Sequence, residues 1–120
     1  MKKALIVDDE ESLREIIAEV LSFLDIECYS AEDGNKAIEL VKSKADDIGL
    51  VLIDLNMPVL SGEETYQQIK PYLNGCPIIF MSGYSDSQLD QNLREKVHFI
   101  KKPFTIMQLK DKVSDVLNTG

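Results

Sequence analysis

The stretch Leu50-Val51-Leu52-Ile53 places four consecutive apolar residues directly before Asp54. Two further runs of the same kind, Ala4–Val7 and Ile78–Met81, also end at polar residues. An uninterrupted apolar run of this length is typical of a parallel strand that is buried on both faces of its sheet. The three runs therefore predict the central strands of a parallel sheet, each with polar side chains at its carboxyl end.

Longer amphipathic stretches separate these strands. In Glu11–Leu24, apolar residues recur at the i, i+3, i+4, i+7 spacing of one helix face. Shorter stretches of this kind cover Asn35–Lys44 and Glu63–Leu73, where Pro71 should end or kink the helix. Thr105 is a suitable N-cap for a last helix. The apolar residues of that helix that we expect to face inward are Ile106, Leu109, Val113, Val116 and Leu117.

Three weaker segments complete the pattern. Ile26–Ser30 and Val97–Ile100 are expected to be strands, and residues 86–96 a short helix. Strands and helices then alternate five times. This predicts an α/β fold of the (βα)5 type, a doubly wound parallel sheet with helices on both faces. With 120 residues, the chain has room for a single domain, residues 1–120.

The charge and hydropathy of the chain exclude some classes of function. Lys and Arg number 13 and Asp and Glu number 21, so the formal net charge is −8. Nucleic-acid binding depends on Lys and Arg that neutralise phosphates, so an acidic chain argues against it. No apolar run approaches the roughly 20 residues that a membrane span needs. We therefore expect a cytoplasmic domain that binds neither nucleic acid nor membrane.

The polar residues at the predicted strand ends carry the chemistry. Asp8 and Asp9 follow the first strand, Asp54 the third, Ser82 the fourth and Lys102 the fifth. Doubly wound sheets bind ligands beyond the carboxyl ends of their strands, so these side chains should share one pocket. Two carboxylates about 4 Å apart repel by roughly 4 kcal/mol at an effective dielectric of 20, which favours a cation between them. An all-oxygen donor set suits Mg²⁺.

Asp54 has the properties of a nucleophile toward phosphorus. An ordinary aspartate has a pKa near 3.9, so it is ionised at neutral pH and needs no general base. Attack would form an aspartyl phosphate. The spread negative charge of the transition state would be stabilised by Mg²⁺, by Lys102 and by backbone N–H groups beyond the third strand.

Four motifs, each at a strand end, together resemble the CheY-like receiver domain of two-component response regulators over essentially the whole chain. They are Val7-Asp8-Asp9-Glu10, then Asp54 with Asn56-Met57-Pro58 and Ser61-Gly62, then Met81-Ser82-Gly83, and finally Lys101-Lys102-Pro103-Phe104. The resemblance implies a flavodoxin-like strand order of 2-1-3-4-5. It also implies that Asp54 is the phosphoacceptor and that the Lys102–Pro103 peptide bond is cis.

The resemblance assigns further roles around the phosphoacceptor. Asp9 would be the main acidic ligand of Mg²⁺ and Asp54 a second ligand, with Asp8 acting through water or charge and Asn56 through its backbone carbonyl. Ser82 would donate a hydrogen bond to the phosphoryl group, and Lys102 would pair with a phosphoryl oxygen.

The resemblance also implies a conformational switch. Ser82 and Phe99 occupy the switch positions, where the family more often has Thr and Tyr. We further expect Asn56 and Tyr84 to flank the path of the attacking water and so to tune dephosphorylation. Residues 86–118 flank the two switch residues and should form the partner-facing surface, including that of a possible homodimer.

The phosphoryl donor should be another molecule. The sequence has no G-x-x-x-x-G-K-[ST] loop to bind ATP. The implied donors are a sensor histidine kinase, a histidine phosphotransfer domain or a small acyl phosphate. The domain would catalyse its own phosphorylation and slow autodephosphorylation, so it is mainly a signalling module. The Met81–Ser85 stretch favours a receiver attached to a hybrid sensor kinase.

Two other classes use a similar arrangement. A haloacid-dehalogenase-like phosphatase has an Asp nucleophile after a buried strand, but it would need a second acid where Asn56 stands. A flavodoxin-like FMN module would place its phosphate beside repelling carboxylates, and only Tyr84 is available near the site for ring stacking. Phosphorylation of Asp54 by acetyl phosphate, fast turnover of a phosphate ester and a yellow protein would distinguish the three.

Overall fold

A computed structural model of the chain describes residues 2–83 and 98–119. Nine regular elements lie in these two ranges. In chain order they are β1 (Lys3–Val7), α1 (Glu11–Ser22), β2 (Cys28–Ala31), α2 (Gly34–Lys44), β3 (Ile48–Asp54), α3 (Gly62–Ile69), β4 (Ile78–Ser82), β5 (His98–Lys101) and α4 (Ile106–Thr119). Short 3₁₀ turns at Ala45–Asp47 and Lys70–Tyr72 follow α2 and α3.

The five strands form one parallel sheet in the order β2-β1-β3-β4-β5, which confirms the predicted topology. The three apolar runs are the three inner strands. Every residue of β4 is buried, and so are the last four residues of β1 and the last five of β3. The less apolar β2 and β5 are the two outer strands, and among the described residues each pairs with a neighbour on one side only.

Helices cover both faces of the sheet. On one face, α2 and α3 bury Ala37, Val41, Tyr66 and Ile69 against the sheet. On the other face, α1 and α4 bury apolar residues against alternate strand positions. Those helix residues are Ile17, Val20, Leu21, Leu109, Val113 and Val116. The sheet is therefore a middle layer with a hydrophobic core on each side.

The predicted helix faces are correct at their centres and wrong at their margins. Ile16, Ile106 and Leu117 are 47%, 62% and 42% exposed, although periodicity placed them inward. Each lies on the flank of an apolar stripe that the sheet covers only along its middle. The third helix also ends at Ile69, because Pro71 continues the chain as a 3₁₀ turn.

The predicted helix at 86–96 lies outside the described residues. Within residues 2–83 and 98–119, no helix combines the length and apolar character that crossing a bilayer requires.

Candidate functional site

The strand register brings the predicted site residues together. Val7 pairs with Ile53, so Asp8 and the buried Asp54 follow paired positions on neighbouring strands. On the other side of β3, Asp54 pairs with Met81. We use "carboxyl edge" for the sheet end formed by Asp8, Asp9, Asp54, Ser82 and Lys102, and "amino edge" for the opposite end.

Three carboxylates meet at the carboxyl edge. Asp8, Asp9 and Asp54 each offer an oxygen atom, and these atoms all lie within 4.8 Å of one another. Asp8 is fully buried and Asp54 is 4% exposed, whereas Asp9 is exposed. Oxygen ligands about 2.1 Å from Mg²⁺ lie about 3 Å apart when adjacent and about 4.2 Å apart when opposite. This donor set therefore fits a small divalent cation after slight side-chain adjustment, with Asp9 on the solvent side.

Lys102 supplies positive charge to this cluster. Its Nζ lies 2.8 Å from Asp8 Oδ2 and 3.4 Å from Asp54 Oδ2. Burial lowers the pKa of Lys102, but the hydrogen bonds and negative charges of the two aspartates outweigh it and raise the pKa overall. Lys102 is therefore a charged partner of both carboxylates, and the Lys102–Pro103 peptide bond after it is cis.

Asp54 is held by two different donors. The backbone N–H of Asn56 donates to Oδ1 at 3.1 Å, and Lys102 approaches Oδ2. Burial raises the pKa of Asp54, and the charge of Asp8 adds to this; the Asn56 N–H and the Lys102 charge oppose it without cancelling it. Burial and the Asp8 charge thus destabilise the ionised form of Asp54. A cation bound next to this carboxylate would stabilise it.

The loop after β3 fits closely around Asp54. A Cβ added at Gly62 would lie 2.3 Å from the Asp54 backbone oxygen and 2.8 Å from Leu55 Cα, so this position has room only for glycine. Ser61 begins α3 with a capping box, in which its hydroxyl accepts from the Glu64 N–H and its N–H donates to the Glu64 carboxylate. The predicted turn motif is therefore packed tightly against the backbone of Asp54.

The same loop contains a strained residue that the sequence did not reveal. Val59 has φ of 69°, and the Leu60 N–H donates to the Pro58 carbonyl at 2.8 Å, which closes a γ-turn around Val59. A β-branched residue rarely adopts positive φ. Its side chain is 93% exposed, so the strain is not offset by burial of the side chain.

The two predicted switch residues lie on neighbouring strands. Ser82 is 1% exposed, and its carbonyl accepts from the Lys102 N–H at 2.7 Å. Phe99 is half-buried, with its ring centroid 6.0 Å from that of Phe80. Phe80 in turn packs edge-to-face on Tyr66 of α3. Phe99 thus contacts the core on the α3 side of the sheet; Tyr84 lies outside the described residues.

Two residues near the site were missed by sequence reasoning. The Arg14 guanidinium donates to the Asp8 carbonyl at 2.6 Å. Leu13 borders a groove of about 450 Å³ beside Lys102. The groove is lined by Glu10, Leu13, Gly83, Lys102, Pro103 and Phe104. Neither residue has a sequence motif of its own, because both acquire their positions from the packing of α1 against the carboxyl edge.

A doubly wound α/β domain with an acidic cluster and a lysine at its carboxyl edge has the architecture of a phosphoacceptor module. The chain matches the model of the response regulator receiver domain over residues 4–114 and belongs to that family. It is therefore a receiver domain of two-component signalling, a phosphorylation-dependent switch. This membership favours the receiver over the phosphatase and flavin-binding alternatives.

Curated relatives and solved structures agree with this assignment. Sporulation initiation phosphotransferase F of Bacillus subtilis is 30% identical over 97% of this chain and 94% of its own length. Autoinducer 1 sensor kinase/phosphatase LuxN of Vibrio campbellii is 33% identical over 95% of this chain, which spans only 13% of that protein. The crystal structure of the receiver domain from the hybrid histidine kinase CckA superposes with a TM-score of 0.83 at 30% identity, covering 96% of this chain and 98% of the other.

Proposed function

We propose that this domain accepts a phosphoryl group on Asp54 in a Mg²⁺-dependent reaction and slowly hydrolyses the product. The observation that carries the proposal is the buried Asp54 carboxylate, gathered with Asp8 and Asp9 within 4.8 Å and contacted by the Lys102 ammonium at 3.4 Å. Packing of the core alone does not explain this cluster, because neighbouring carboxylates repel one another and the burial of a charged group is costly.

The reaction forms one bond and breaks one. An Asp54 carboxylate oxygen attacks phosphorus, and the P–N bond of a phosphohistidine, or the P–O bond of an acyl phosphate, breaks. The bonding electrons leave with the donor, as imidazole or carboxylate. Asp9, Asp8 and the Asn56 carbonyl would hold Mg²⁺, which supplies positive charge to the phosphoryl oxygens. Lys102 would exchange its contact with Asp54 for one with a phosphoryl oxygen. Water later cleaves the acyl phosphate and releases inorganic phosphate.

The switch follows from the same geometry. Ser82, buried beside β3, would donate its hydroxyl to the phosphoryl group. Phe99, on the neighbouring strand and half-buried, would move inward as Ser82 moves. Since Phe99 has no hydroxyl, no hydrogen bond holds its ring in either position. The surface formed by residues 86–118 would then change, and with it the binding of a target or of a second copy of the chain.

The donor would be a sensor histidine kinase or a histidine phosphotransfer domain in the cytoplasm. Two of the similar proteins are themselves a sensor kinase and the receiver of a hybrid histidine kinase. The groove beside Lys102 supports this, because apolar side chains of Leu13 and Phe104 line it next to Lys102, which itself contacts Asp8 and Asp54.

Intact-mass spectrometry tests the chemistry directly. Acetyl phosphate with Mg²⁺ should add one phosphoryl group to the wild type and none to Asp54→Asn. Asp46→Asn is the matched control, because Asp46 is exposed and lies at the amino edge. Modification of Asp54→Asn, or modification of the wild type in EDTA at the same rate, would contradict the proposal. Fast turnover of a general phosphate ester would indicate the phosphatase alternative.

Asn56 and Tyr84 are proposed to tune the lifetime of the phosphoryl group. Asn56 is exposed, and its backbone rather than its side chain contacts Asp54. Asn56→Ala should therefore change the rate of dephosphorylation more than the affinity for Mg²⁺, and Tyr84→Ala should behave alike. The exposed Asn74 at the amino edge offers Asn74→Ala as the control. Dephosphorylation rates that stay at the wild-type value in both variants would remove this proposal.

A further inference from the structure

The turn between β1 and α1 is fixed by contacts that converge on Asp8. Asp8 is completely buried, and the residues around it use all of its polar atoms. Its N–H donates to the Ala31 carbonyl at 3.1 Å. Its Oδ1 accepts from the Glu10 N–H at 2.9 Å and its Oδ2 from Lys102 at 2.8 Å. The fourth contact is the guanidinium of Arg14, at 2.6 Å from the Asp8 carbonyl.

Arg14 connects the first turn of α1 to the residue that follows β1. Glu10 occupies the N-cap position of α1 in an extended conformation, and its side chain makes no capping hydrogen bond. The Arg14 backbone N–H donates to the Glu10 carbonyl at 3.1 Å, while its side chain reaches back past the helix start to Asp8. The two ends of Arg14 therefore hold both sides of the short turn that contains Asp9.

Asp9 depends on that turn for its direction. It is the exposed member of the acidic cluster, and it lies between the anchored Asp8 and the extended Glu10. Its carboxylate can face Asp54 only while the backbone on both sides is held. Among the described residues, Arg14 is the one arginine, and its planar, always charged fork suits a fixed contact with a carbonyl better than the flexible ammonium of a lysine does.

We propose that Arg14 is a positioning residue for the divalent-cation site. Its contact with the Asp8 carbonyl holds the turn so that the Asp9 carboxylate faces Asp54. This rests on the proposed Mg²⁺-dependent function. Whether loss of Arg14 weakens or strengthens Mg²⁺ binding shows whether Arg14 acts by orienting ligands or by its charge. Loss of a nearby positive charge by itself strengthens the binding of a cation. Loss of an outer contact that orients ligands weakens metal binding, typically by 10- to 100-fold.

Calorimetric Mg²⁺ titration of the metal-free protein tests this proposal. Arg14→Met should weaken Mg²⁺ binding about tenfold. Arg14→Lys, which keeps the charge and a donor, should recover part of that loss. Lys42→Met, in the last turn of α2 and so near the amino edge, removes one positive charge as a control and should leave Mg²⁺ affinity unchanged. At saturating Mg²⁺, phosphorylation of Arg14→Met by acetyl phosphate should return close to the wild-type rate.

The outcomes separate this inference from the function on which it rests. Far-UV circular dichroism and thermal unfolding without Mg²⁺ would establish that each variant is folded. Wild-type binding together with equal or tighter binding by Arg14→Met would overturn the role of Arg14 and leave the proposed function standing. Absence of Mg²⁺ binding by the wild type itself would overturn both.

Discussion

The two ends of the sheet carry the same type of ion pair in opposite surroundings. At the carboxyl edge, Lys102 lies 2.8 Å from Asp8, and the two side chains are 18% and 0% exposed. At the amino edge, Lys3 lies 3.4 Å from Glu27, and the exposures are 33% and 78%. Water therefore screens the Lys3–Glu27 pair much more than the Lys102–Asp8 pair. The buried ion pair at the carboxyl edge therefore contributes to the electrostatics of the candidate site. The pair at the amino edge is an exposed surface contact.

Glycine shows the same contrast. Gly62 at the carboxyl edge packs directly on the Asp54 backbone, as the contacts of an added Cβ show. Gly75, before β4 at the amino edge, has φ of 71° but nothing within 4 Å of an added Cβ. Gly62 is required because the backbone of Asp54 and Leu55 leaves no room for a side chain. Gly75 is favoured only because its φ is positive. The carboxyl edge is thus the end of the molecule where local change should propagate to function.

The largest effect on stability is expected for Lys102→Met. This change leaves Asp8 and Asp54 buried with no ammonium between them, which should lower the free energy of unfolding by about 3 kcal/mol at neutral pH. Urea unfolding in EDTA measures the loss. Added Mg²⁺ should recover part of it, because a divalent cation can neutralise the same carboxylates. A variant as stable as the wild type in EDTA would mean that the contrast between the two edges is wrong.

A smaller loss is expected for Gly62→Ala, at about 2 kcal/mol, because the methyl group must displace the backbone of Asp54 or Leu55. Gly75→Ala should cost about 1 kcal/mol, the penalty of a left-handed backbone alone. Acetyl phosphate labelling should distinguish them further, since only Gly62→Ala displaces Asp54, the proposed phosphoacceptor. Equal labelling rates in the two variants would show that Gly62 supports the fold but not the site.

Asp54→Asn should stabilise the metal-free protein. The folded-state pKa of Asp54 is raised, mainly by burial, above the ordinary value of 3.8. The folded state therefore binds a proton more tightly than the unfolded state does, so wild-type stability falls as pH rises from 3.8 through the raised pKa. At pH 7 the variant should therefore melt at a higher temperature than the wild type.

The advantage of Asp54→Asn should shrink as pH is lowered toward the ordinary aspartate range, since both proteins then carry a neutral side chain at this position. Thermal melts in EDTA across that range measure this, with Asp46→Asn as the exposed control. An advantage that stays constant with pH would show that Asp54 ionisation is not its cause.

The smallest effect is expected at the amino edge. Lys3→Met or Glu27→Gln should leave the melting temperature within experimental error, because exposed ion pairs contribute little to stability. Lys3 also lies 5.0 Å from the centroid of the Tyr29 ring, and methionine preserves the apolar part of that contact. A loss comparable to that of Lys102→Met would erase the difference between the edges.

Much of the fold could be predicted because hydrophobic pattern and burial correspond directly in this chain. The runs at Ala4–Val7, Leu50–Ile53 and Ile78–Met81 became the inner strands, with boundaries within two residues. Helix margins were less predictable. Ile16 and Ile106 are exposed because the width of a buried stripe depends on how a helix is seated on the sheet, which periodicity does not contain.

The candidate site divides in the same way. Asp8, Asp9, Asp54, Ser82 and Lys102 could be proposed because parallel strands end at one edge. Their contacts could not. The sequence had Lys102 as a partner of a phosphoryl oxygen, and the structure adds that it already contacts Asp8 and Asp54. Arg14, six residues after Asp8, gave no motif because its role is a single bond to a main-chain carbonyl.

The amino-acid sequence alone predicts a parallel α/β sheet. It also predicts which side chains lie at one end of that sheet, namely three aspartates, Ser82 and Lys102. Local pattern suffices for that, since burial and strand direction are properties of short segments. Which oxygen faces which nitrogen, and how far Asp54 is removed from water, were decided only when segments up to 94 residues apart packed together. Distance and desolvation belong to the assembled molecule, and they determine the electrostatics of the site.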